Sequence, residues 1–159
     1  LVDSKFIKEH IHVDGKIIDV IPTSQLNLEE KYYQKIPYEN PKISIDNLKE
    51  DYFGKIFGTR SGDKGGCANL GVWAKSQEAY SFLFDFLTVK KLKELLPDLE
   101  KFEIDRFELP NIYSLNFYVH GILQDGVSSS TRMDGQAKSL GEYLRAKKIN
   151  FPEQLLKQI

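Results

Sequence analysis

Up to about residue 50, apolar residues are scattered, Pro22, Pro37 and Pro41 interrupt short β-prone pieces, and no helical period can be traced. Residues 1 to 50 therefore read as a linker or arm. Within it, Ile11 to Val20 carries Asp14-Gly15 between Val13, Ile17, Ile18 and Val20. That dipeptide tolerates the positive φ of a tight two-residue turn, so a small hairpin is predicted there.

From Asp51 the pattern tightens. Tyr52 to Thr59 is β-prone, Ser61 to Gly66 is a glycine-rich loop, and Ala68 to Lys75 alternates again, predicting two strands joined by that loop. Ala79, Phe82, Leu83, Phe86 and Leu87 form a stripe at helical spacing, which Ser76 is placed to cap. Thr88 opens a shorter helix, Val89 to Leu96, which Pro97 stops. Phe102 to Leu109 and Tyr113 to Leu123 are the next strands, turned at Pro110-Asn111. A polar loop, Gly126 to Asp134, leads into a last helix from about Gln136 to Lys147, with Ala137, Leu140, Tyr143 and Leu144 on one face.

This order predicts an α+β domain over residues 51 to 159: a four-stranded antiparallel sheet with two main helices on one face, ββαββα, a permuted ferredoxin-like plait. In such a plait the strand before each crossover helix is central, and the two central strands are antiparallel. Arg60 to Cys67 and Gly126 to Asp134 should therefore lie at the same sheet edge.

Composition narrows the partners. The chain has 159 residues, 41% hydrophobic and 28% charged, enough for one core without staples. Its 22 Lys and Arg nearly balance 23 Asp and Glu, so no sequence-wide attraction to nucleic acid or anionic lipid is expected, and any anion recognition has to be local. Cys67 is the only cysteine. It can form no internal disulfide, and no Cys/His spacing suits a zinc site, so neither metal nor cofactor is expected and a reducing, cytoplasmic setting fits. No apolar run approaches the ~20 residues of a membrane helix, and the early charges Asp3, Lys5, Lys8 and Glu9 do not suit a signal peptide. The chain starts at Leu1, which suggests a fragment of a longer polypeptide.

Arg60-Ser61-Gly62-Asp63-Lys64-Gly65-Gly66-Cys67 is the most distinctive stretch. Its glycines permit close backbone approach, so several N–H groups can face one anion while Arg60 and Lys64 add charge. It is not a P-loop, because Lys64 is followed by glycine and the spacing is absent. The plainer alternative is a tight solvated turn in which Arg60 and Asp63 pair. The second stretch, Gly126 to Asp134, places Ser130, Thr131 and Arg132 just before a helix, where an anion can be held by free N–H groups. Here the plainer alternative is Asp134 capping that helix while the serines stay in water.

Alternation sorts the strands into faces. Leu115, Phe117 and Val119 share one face with Leu70, Val72 and Ala74, while Asn116, Tyr118 and His120 share the other with Asn69, Gly71 and Trp73. The second face is too aromatic for plain solvated sheet. Docking of another domain or subunit through Trp73, Asn116 and Tyr118 is the favoured explanation, with a small ligand as the alternative. His120 is the only histidine in this sheet; a structural, hydrogen-bonded role is preferred to a general base, and Cys67 reads as a spectator thiol.

Together, Arg60-Ser-Gly-Asp-Lys-Gly, Ala68-Asn-Leu-Gly-Val-Trp-Ala, Phe86-Leu-Thr, Leu109-Pro-Asn-Ile, Leu115-Asn-Phe, His120-Gly, Ser130-Thr-Arg and Gln136-Ala-Lys resemble the C-terminal ferredoxin-fold domain of the acyclic terpene utilisation (AtuA-like) family. The resemblance covers about residues 52 to 156. It implies a role in catabolism of acyclic terpenes or branched acyl compounds, a route of CoA thioesters and a biotin-dependent carboxylase, with residues 1 to 50 as the connection from a larger N-terminal domain. Cys67 departs from the family's pattern, where a more polar residue stands, and this argues against a shared thiol nucleophile.

Three functions are thus carried forward. The first is an accessory domain that packs on the upstream AtuA domain or a sister copy and lends Arg60, Ser61, Asp63, Lys64, Gly65, Asn69, Ser130, Thr131 and Arg132 to a carboxylate or acyl-CoA site. The second is a stand-alone acid/base enzyme using Asp63 or His120, and the third a purely structural homo-oligomerisation module.

Overall fold

The computed structural model describes residue 6 and residues 8–20 and 38–157, which divide into two compact units, Leu1–Pro37 and Tyr38–Ile159. In the first, β1 (Glu9–Val13) and β2 (Lys16–Val20) pair antiparallel. Asp14 and Gly15 make the turn at φ 49° and 73°, the left-handed region that a type I′ hairpin requires of both positions.

The second unit begins with Tyr38 and includes β3 (Leu48–Tyr52), which pairs with a strand almost at the other end of the chain, β8 (Lys148–Pro152). Between them run α1 (Phe53–Ile56), β4 (Gly58–Lys64), β5 (Cys67–Trp73), α2 (Gln77–Phe86), α3 (Val89–Leu95), β6 (Ile104–Leu109), β7 (Ser114–Val119) and α4 (Ser139–Arg145). The short α5 (Glu153–Leu156) follows β8. Strands β4, β5, β7 and β6 lie side by side in that order, every pair antiparallel, so the domain is α+β around a four-stranded antiparallel sheet.

Four local expectations are corrected. Tyr52 to Thr59 is not one strand: Phe53 and Ile56 point into the core from a single helical turn, and the strand starts at Gly58. Ser61 to Gly66 is not a loop, since pairing runs unbroken from Gly58↔Trp73 to Lys64↔Cys67 and leaves only Gly65 and Gly66 to turn the chain. The strand expected to reach Leu123 stops at Val119, and Gly121 at φ 64° turns the chain away. The last helix is confined to Ser139–Arg145, because Asp134 organises its start and Lys148 is already paired with Tyr52.

Two helix starts are set by hydroxyls. Ser76 accepts from the Ala79 N–H at 3.2 Å, and Thr88 from the Lys91 N–H at 3.1 Å. Leu70, Val72, Leu115, Phe117 and Val119 are fully buried on one side of the two central strands. At about 1.5–3 kcal/mol for each such side chain, this face anchors the domain. Helix α4 is bonded to β4 on that side, and the Phe84 carbonyl of α2 accepts from Arg106 of β6 at 2.7 Å. Phe57, Phe82 and Phe151 bring α2 and β8 into the same core.

Candidate functional site

Register fixes what shares the opposite face of the sheet, since directly paired residues point the same way. Three rows result: Gly58, Trp73, Ser114 and Leu109; then Arg60, Gly71, Asn116 and Phe107; then Gly62, Asn69, Tyr118 and Asp105. Trp73, Phe107 and Leu109 keep 40%, 51% and 42% of their surface exposed, whereas Leu70, Val72, Leu115 and Phe117 on the helix-bearing face are buried. That contrast marks this face as the uncovered one. Exposed aromatic and aliphatic side chains grouped in adjoining rows differ from the scattered apolar exposure that needs no explanation.

The floor of this face is built by glycine. A Cβ on Gly58 would lie 2.2 Å from Cε2 of Trp73, so the indole lies across a position only glycine can hold. Gly71, by contrast, would meet nothing closer than the Arg60 carbonyl at 3.6 Å. Gly71 therefore contributes no side chain to its row between Arg60 and Asn116. Asn69 Nδ2 donates to Asn116 Oδ1 at 3.3 Å, which orients both amides.

At the far end of the face, His120 Nε2 is 2.8 Å from Asp105 Oδ2, and the His120 ring meets Tyr118 edge-on at 4.9 Å. Hydrogen bonding to Cys67 is the main cause that raises the Tyr118 pKa above that of a free phenol, with burial second. The Gly121 N–H also donates to Cys67 Sγ at 3.4 Å. Asp105 was not singled out on sequence, nor were Phe107 and Leu109, although alternation along Ile104–Leu109 puts all three on one side.

The two turns do meet. The Leu123 N–H donates to the Gly66 carbonyl at 2.9 Å, and a Cβ on Gly126 would come within 3.7 Å of the Gly65 carbonyl. Their side chains, however, go to different places. Ser61 is buried against α4, its Oγ accepting from the Gly141 N–H at 2.9 Å and donating to the Lys138 carbonyl at 3.1 Å. Asp63 pairs in register with fully buried Ala68 and so points to the side opposite Asp105 and Tyr118; it forms no ion pair with Arg60. The two acid/base candidates, Asp63 and His120, are thus not brought together. Lys64 donates to the Asp63 carbonyl at 2.8 Å, and Gly65 turns at φ 62°.

In the second turn, Ser130 Oγ accepts from the Arg132 N–H, Thr131 is exposed, and Asp134 takes the Lys138 and Ser139 N–H groups at 2.8 and 3.0 Å. Arg132 lines a cavity of about 390 Å³ with Leu96, Asp98, Met133 and Tyr143; neither Arg60 nor Lys64 borders it. Among the described residues no three His, Cys, Asp or Glu side chains gather as a metal site would require, and no helix is long and apolar enough to cross a membrane.

The α+β arrangement around four antiparallel strands agrees with the comparison to known families. The family described as AtuA ferredoxin-like domain matches residues 53–150, more than half of the chain. The chain belongs to the AtuA ferredoxin-like domain family. No curated protein and no solved structure matches it. The matched span of this AtuA ferredoxin-like domain contains the whole four-stranded sheet, α2, α3 and α4, and every residue of the uncovered face.

Proposed function

We propose that this AtuA ferredoxin-like domain is an accessory module whose uncovered sheet face docks on the larger, upstream domain of an AtuA-like protein. The observation that carries this is the exposed cluster of Trp73, Phe107 and Leu109 beside the Asn69–Asn116 amide pair. Large apolar side chains at a centre, bordered by oriented amides and charges, have the composition of an interface core and rim.

Docking there would also cover the position at Gly71 where the row carries no side chain. Arg60, Asn69 and Lys64 share the parity of the docking residues, so they would lend donors to a ligand held at the junction. A carboxylate or acyl-CoA fits those donors, in keeping with a role in acyclic terpene or branched acyl catabolism. Ser61 falls outside this ligand set because its hydroxyl is bonded to α4, and Arg132 because it lines the separate cavity beside Asp98.

Sedimentation velocity on a mixture of the 159-residue chain and the upstream domain tests the reading. A complex is expected, and Trp73→Asp or Phe107→Asp should abolish it, while Arg60→Ala should leave the complex and weaken acyl-CoA binding to it. A complex indifferent to both aspartate variants would overturn the docking; self-association of the chain, lost in the same variants, would favour a sister copy instead.

A further inference from the structure

A second feature lies on the helix-bearing side, away from the docking face. Where residues 42–48 pass α2 and β8 they leave a cavity of about 500 Å³. Its walls are Ile43, Ile45 and Leu48, and its base is formed by Phe82 and Phe86, whose rings stack at 5.1 Å and 16°. Ile45 and Leu48 are more than half exposed, so apolar walls stand around the space without collapsing into it.

Size points to the kind of occupant. At about 500 Å³ the cavity lies within the range of about 300–1,000 Å³ that small-molecule sites span.

The rim decides the head group. Lys42, Asp85 and Asn150 border the opening, and their side chains make no ion pair or hydrogen bond among the described residues. One cation, one anion and one carboxamide sum to zero charge. A carboxylate would gain Lys42 and meet Asp85; an ammonium would do the reverse. A neutral head that both accepts and donates can use all three groups without repulsion. We propose that this cavity binds a medium-length aliphatic chain ending in a neutral donor–acceptor head, such as a primary amide or alcohol. The site is independent of the docking face.

The test uses octanamide, octanoate and octylammonium, which share one chain length, titrated into the 159-residue chain and followed by the methyl NMR signals of Ile43, Ile45 and Leu48. Octanamide should give saturable shifts at these methyls and bind several-fold more tightly than either ion. Ile45→Trp, which fills the cavity from an exposed position, should remove the response. Asp85→Asn, a surface change, should leave octanamide binding and raise octanoate affinity several-fold. Absence of saturable shifts with octanamide, shifts that persist in Ile45→Trp, or octanoate binding as tightly as octanamide to the unaltered chain would each overturn the proposal.

Discussion

Ser61 is the residue whose role differs most between sequence and structure, and replacing it gives a calibrated test. Gly141 is the third residue of α4, so its N–H is one of the four at a helix start without an intrahelical acceptor. Ser61 Oγ supplies that acceptor at 2.9 Å from an adjacent strand, and its own hydrogen goes to the Lys138 carbonyl at 3.1 Å. Ser61→Ala removes both partners at a site closed to water, and Gly141 leaves no room for a substitute because Thr59 Oγ1 is 3.0 Å from where its Cβ would be. Stranding a buried backbone N–H costs about 1–3 kcal/mol. We expect a loss of ~2 kcal/mol, or a fall in Tm of about 6 °C at roughly 3 °C per kcal/mol for a domain of this size. Urea and thermal unfolding followed by circular dichroism measure it. Ser128→Ala, at an exposed site without such bonds, is the control and should stay within about 0.5 kcal/mol of the unaltered chain. A Ser61→Ala variant as stable as that control would refute the trans-capping role.

Asp134 serves the same helix from the preceding turn, so Asp134→Ala should cost about 1–2 kcal/mol in the same unfolding assay, and Asp134→Asn about half of that. Tyr80 is fully buried and its hydroxyl has no hydrogen-bond partner among the described residues, so Tyr80→Phe should be neutral or stabilising by about 1 kcal/mol at pH 7. Burial pushes the Tyr80 pKa up to about 12 from 10.0. A raised folded pKa means its contribution is intact below pH 10 and lost as pH climbs towards 12; denaturant midpoints in that window should fall for the unaltered chain and fall less for Tyr80→Phe.

Much of the architecture was legible because local signals and packing agree. Ser76, Thr88 and Pro97 punctuate α2 and α3 where the sequence puts them, and the alternation of Ala68–Trp73 and Ser114–Val119 separates a buried face from an open one. What failed did so for tertiary reasons. Gly62 read as a loop residue, yet it lies within a strand and makes way for the Lys138 amine, 3.1 Å from its would-be Cβ, much as Gly58 makes way for the Trp73 ring. Strand β8 follows a helix directly, ends in proline and pairs nearly 100 residues upstream, beyond the reach of any local pattern. The candidate site divides in the same way: strand parity brought Asn69, Trp73, Asn116 and Tyr118 together, whereas the Ser61 hydroxyl is taken up by α4 and Arg132 lines a cavity that neither Arg60 nor Lys64 borders, placements that only the folded chain sets.

The docking claim is tested most directly by hydroxyl-radical footprinting of the 159-residue chain alone and joined to the upstream domain. Oxidation of Trp73, Phe107 and Leu109 should fall several-fold in the longer polypeptide, while exposed Met133, outside the sheet, stays equally reactive. Equal oxidation of the three sheet residues in both samples would contradict the account.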